Sequence, residues 1–168
     1  MELPGSTYLY ALATISITFV GFSALLLIFR QAMGHTMTRY ESYFMLTFIQ
    51  SGFIVTAGSL LPLLLALYGL PQPTVWRVSS LIMAIPIFVF VVTLPGRRRV
   101  ASQQEIPMYV WVLLLLQLLT VPYLLMNTIG KPVEPGIAPY ATAMSGILFT
   151  SGIAYVIALA AALGEPPT

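Results

Sequence analysis

Five long apolar runs, separated by short polar breaks, constrain this chain more than any other feature. A helix needs about 20 mainly apolar residues to cross a bilayer's hydrocarbon core. Tyr8–Phe29, Tyr43–Tyr68, Val75–Leu94, Met108–Met126 and Ile137–Leu163 all meet that length, and Arg77 is the one charged residue among them. The runs lack the period-two alternation of a membrane barrel and are too long for its strands. The breaks are rich in turn formers: "GLPQP" at Gly69–Pro73, "PGRRRVASQQEIP" at Pro95–Pro107 and "GKPVEPG" at Gly130–Gly136. The pattern predicts an all-α, polytopic transmembrane helical bundle of five spans, residues 1–168 forming a single domain.

The whole chain is 58% hydrophobic and only 7% charged, against roughly 25% charged residues in an ordinary soluble domain. So much apolar surface requires lipid as solvent. The opening "MELPGSTYLY" has no basic segment of the kind that starts a cleaved secretory signal, so the first helix is expected to be retained. No internal repeat is visible, and an odd number of spans argues against two equal inverted repeats.

Orientation follows from arginine and lysine near helix ends. Arg30 and Arg39 flank the first loop and Arg97, Arg98 and Arg99 occupy the third, whereas the second and fourth offer Arg77 and Lys131. Loops one and three are expected to be cytoplasmic, with the N-terminus outside and the C-terminus inside a bacterial inner membrane. Tyr8, Tyr43, Tyr68, Trp76, Tyr109, Trp111 and Tyr140 fall near predicted ends, where amphipathic rings sit at headgroups.

The fifth span contains a ridge of small residues in steps of four: Ala138, Thr142, Gly146, Thr150, Ala154, Ala158 and Ala162. Lipid tails are as apolar as leucine, so membrane helices associate through close backbone approach and weak polar contacts. A step of four drifts by roughly 40° on an α-helix, so the ridge's two halves are expected to meet different neighbours. Gly21 in the first span and Gly52 and Gly58 in the second extend the pattern. Spans one, two and five are therefore expected to form the packed core, with the leucine- and valine-rich third and fourth facing lipid. Pro62, Pro86 and Pro122 are candidate kinks.

The polar residues narrow the chemistry. Ionisable groups deep in a membrane mark ion paths or proton relays, and the charged residues here fall near helix ends or in loops, which disfavours a pump. Gln50, Gln117 and Asn127 either make interhelical hydrogen bonds or line a pore. Arg97–Arg99 read as topology anchors that also meet lipid headgroups, as do Arg30 and Arg39. Met33, His35 and Met37 form a weak candidate set of thioether and imidazole ligands for Cu(I), but methionine is common in membrane chains and an interfacial loop is the preferred reading. With no cysteine, no aspartate and one histidine, thiolate metal sites and a Ser-His-Asp triad are excluded. A phosphate-binding glycine loop is absent too. No catalytic residue, cofactor or nucleic-acid partner is expected.

The segments "FVGFSALLLIFRQ" and "FIQSGFIVTAGSLLPLLLALYGLP" resemble those of small, uncharacterised bacterial multi-pass membrane proteins, notably in Phe19, Gly21, Phe22, Arg30 and Gln31. The resemblance covers about the first 70 residues. It implies a membrane bundle and supplies no activity. The functional expectation is a non-enzymatic packing or interaction subunit that assembles with itself or another membrane protein through small-residue helix faces. The alternative is a homo-oligomeric channel for ions or small neutral solutes.

Overall fold

A computed structural model describes residues 3–34, 38–102, 107–132 and 134–164. These form six helices: α1 Ser6–Ala32, α2 Arg39–Leu67, α3 Gln72–Ser102, α4 Met108–Leu118, α5 Thr120–Ile129 and α6 Ile137–Gly164. No strand occurs among the described residues. With α4 and α5 taken together, five segments are long and apolar enough to span a membrane.

The hairpin of α1 and α2 is fixed at both ends of its contact. Thr38 and Glu41 form a capping box at the start of α2, each side chain bonding the other's backbone N–H, which satisfies donors that a helix start leaves open. Glu41 also accepts from Arg30 at 2.8 Å. Deeper down, Gly52 lets the two helices touch: a Cβ there would run into Val20 Cγ2 and approach the Ser16 carbonyl at 3.3 Å. Ser16 and Thr56 hydroxyls meet across this contact at 2.9 Å.

Pro62 sits inside α2. It has no N–H, so the carbonyl four residues earlier, that of Gly58, loses its helix partner. The buried hydroxyl of Tyr140 on α6 donates to that carbonyl at 2.6 Å. Gly58 is also a close approach, since a Cβ would lie 2.6 Å from Met144 Sδ and 3.0 Å from Met83 Cε. One turn thus joins α2, α3 and α6.

Two expectations need correction. The third span does not end at Leu94: α3 continues through Pro95 to Ser102, so Arg97–Arg99 lie on a helix rather than in a loop. A proline removes one backbone bond without ending a helix whose other groups stay paired, and side-chain contacts to α2 hold this extension in place. Nor is α3 peripheral to the core, although one of its faces stays exposed. It is the most buried span, 44% of its apolar window against 28% for α1. It supplies Val75, Trp76, Met83, Ile87, Phe90 and Leu94 to the core. Large apolar side chains suit a protein interior and a lipid surface alike, so leucine and valine content does not distinguish them.

The fourth span is the least buried, at 17%, and it breaks at Leu119, three residues before Pro122. Thr120 Oγ1 donates to the Gln117 carbonyl at 2.6 Å, using a hydroxyl to cover backbone exposed by the interruption.

Candidate functional site

Each of the three intramembrane amides has a partner on another element. Gln50 Oε1 accepts from Arg97 at 2.9 Å, Gln117 donates to Ser151 Oγ at 3.2 Å, and Asn127 donates to Ser80 Oγ at 2.7 Å. Asn127 also accepts from the Gly136 backbone N–H at 2.9 Å. The three lie on α2, α4 and α5, and Gln117 reaches a cavity wall.

The cationic residues gather at one end of the bundle. Arg30, Arg39, Arg97, Arg98 and Arg99, five of the seven Lys and Arg residues, stand at the end reached by the start of α2 and the close of α1 and α3. Their environments differ. Arg39 and Arg99 are exposed and Arg30 and Arg97 half-buried. Arg98 is 6% exposed, donates to Tyr40 Oη at 3.1 Å, and lies 5.7 Å and 5.8 Å from the ring centroids of Tyr40 and Phe44. Ring faces are electron-rich and attract a guanidinium, more strongly when water is excluded. The sequence reading missed this pairing. Its signal was the aromatic spacing Tyr40, Tyr43, Phe44, which falls on one face of a helix.

Beside Arg98 is a cavity of about 70 Å³ bounded by α2, α3, α4 and α6. Its walls include Phe44, Phe48, Phe90 and Leu114, with Arg98 the charged residue that lines it. Thr150 and Ala154, from the second half of the α6 ridge, also line it.

The first half of that ridge points elsewhere. Ala138 and Thr142 are exposed and Gly146 is half-buried. Together with Ala141 and Ser145 they floor a shallow, open groove between Tyr8 and Phe149. Ser145 Oγ donates to the Ala141 carbonyl at 2.7 Å, so Tyr8, 2.7 Å away, donates to Ser145. The Tyr8 ring is thereby pinned as one rim of the groove. Gly146 is not closely packed: a Cβ there would meet Thr120 Cγ2 at an ordinary 3.7 Å. Ala158 is half-buried farther along α6. Gly21, placed with the packing glycines from sequence, is exposed, and a Cβ added to it would meet nothing within 4 Å; α1 turns that face away from its neighbours.

Met33 is exposed at the close of α1, and His35 and Met37 lie outside the described residues. No cluster of three metal-ligating side chains occurs among the described residues. Comparison with family models, curated proteins and solved structures finds no match.

Proposed function

We propose that this protein is a non-enzymatic interaction subunit of a bacterial inner membrane, with its N-terminus outside and its C-terminus cytoplasmic. It assembles with a second copy of itself or with another membrane protein along the outer face of α6. The observation that supports this reading is the open groove floored by Ala138, Ala141, Thr142 and Gly146. Small side chains there leave room for another helix backbone to approach, which is the chief source of helix association in lipid. The orientation rests on the gathering of arginine at one end.

The separate hydrogen bonds of Gln50, Gln117 and Asn127 favour this role over conduction, because a pore needs polar groups lining one path.

The chain has no cysteine, so a Thr142→Cys variant carries a single thiol. Photocross-linking in native membranes through a benzophenone attached to that thiol should give a homodimer or one discrete larger adduct. Val92→Cys, on an exposed face of α3, should give neither. Equal cross-linking at both positions, or none at Thr142, would refute the assignment of this face.

A further inference from the structure

We propose that the cavity beside Arg98 holds one acyl chain of an anionic phospholipid, with the lipid phosphate at the Arg98 end.

The cavity's polar residues are less polar than their names suggest. Thr47 Oγ1 donates to the Tyr43 carbonyl at 2.8 Å, Ser51 Oγ to Phe48 at 2.9 Å, and Thr150 Oγ1 to Gly146 at 2.8 Å. Each hydroxyl proton is directed into its own helix backbone, so these side chains turn carbon toward the cavity. At the far end Gln117 and Ser151 bond each other. The walls are thus mainly carbon and aromatic ring, and Arg98, whose guanidinium also meets Tyr40 and Phe44, gives the slot a cationic end that complements a ligand with an apolar tail and an anionic head.

Size and shape narrow the ligand. About 70 Å³ is several times the ~10–15 Å³ that admits one water, yet it falls far below the roughly 300–1,000 Å³ of a drug-sized site. A single narrow chain fits that description; a compact ring system does not. Along α3, Arg98 and Phe90 both line the slot, and eight residues of helix place them about 12 Å apart. The slot therefore runs inward from the arginine-rich end in the direction of a lipid's own chains. α4 forms one wall and belongs to the least buried span, so a chain can enter sideways from the bilayer.

Three consecutive arginines at this end make the headgroup selection electrostatic. Arg99 is exposed beside the buried Arg98, and each cation near an anionic lipid surface contributes about 1 kcal/mol, or roughly fivefold in affinity.

The test is native mass spectrometry of the full-length protein in mild detergent, titrated separately with dioleoyl phosphatidylglycerol, dioleoyl phosphatidylcholine, oleate and inorganic phosphate. One phosphatidylglycerol per chain should be retained, about fivefold or more tightly than phosphatidylcholine. Arg98→Gln should abolish that preference, and Ala154→Phe, which fills the slot from α6 and leaves Arg98 in place, should abolish retention of both lipids. Circular dichroism establishes that each variant is folded; if Arg98→Gln is not, the headgroup comparison on the unaltered protein and the Ala154→Phe result decide the matter. Equal retention of the two lipids overturns the headgroup assignment. Displacement of phosphatidylglycerol by phosphate alone, or undiminished retention by Ala154→Phe, removes the acyl chain from the slot, and retention of oleate in place of phosphatidylglycerol assigns it to a free fatty acid instead.

Discussion

Asn127 and Ser80 hold α5 against α3 through a 2.7 Å hydrogen bond in which the amide donates to the hydroxyl. The same amide accepts from the Gly136 backbone N–H, so one fully buried side chain joins two helices and the turn before α6. Replacing it strands a hydroxyl and a backbone N–H at once. Buried groups left without partners cost about 1–3 kcal/mol each. Asn127→Leu should therefore lower stability more than Gln117→Leu, which deprives only Ser151. Unfolding titrations in mixed micelles measure the difference, and amide exchange at Gly136 should accelerate in the Asn127 variant.

The glycines divide into those that a methyl group would disturb and those it would not. Gly52→Ala drives a Cβ into Val20, whereas Gly21→Ala meets open space. The first should cost about 1–3 kcal/mol, the usual penalty for overpacking, and the second should be neutral or stabilising by up to about 1 kcal/mol through helix propensity. Val20→Ala should recover part of the Gly52→Ala loss. The readout is the unfolding midpoint of the three single variants and the Gly52→Ala, Val20→Ala pair.

Pro62 and Tyr140 should be energetically coupled although they lie on different helices. Tyr140→Phe leaves the Gly58 carbonyl without the donor it has at 2.6 Å, at a cost of about 1–2 kcal/mol on the scale of interhelical hydrogen bonds. Pro62→Ala restores a backbone N–H that can reach the same carbonyl. In that background Tyr140→Phe should cost less. A double-mutant cycle isolates the coupling, and strict additivity would mean that the tyrosine does not compensate for the proline.

The spans were legible because length and hydropathy alone decide whether a helix can cross a bilayer, and all five segments appear within a few residues of their expected starts. Their arrangement was not. Ile87, Phe90 and Leu94 bury themselves in the core while Ile85, Val89 and Val92 on the same helix stay exposed, and no difference in residue type separates the two sets. The α6 ridge was readable as a row whose two halves diverge, but not which half lies outside, as Thr142 does, and which is buried, as Thr150 is. Arg98 was hardest to place. A triplet of arginines after a proline reads as a loop, and the rings that receive its charge lie on α2, more than fifty residues earlier in the chain.

The link between Gly58 and Tyr140 also bears on how the chain matures. The two residues are 82 positions apart, and α6 leaves the ribosome after the other five helices. Until it arrives, the second helix sits in the bilayer with a carbonyl that its own proline has opened and no tyrosine to cover it. The fifth span therefore completes helices already inserted, and a chain halted before Tyr140 retains a polar defect at the heart of its second helix.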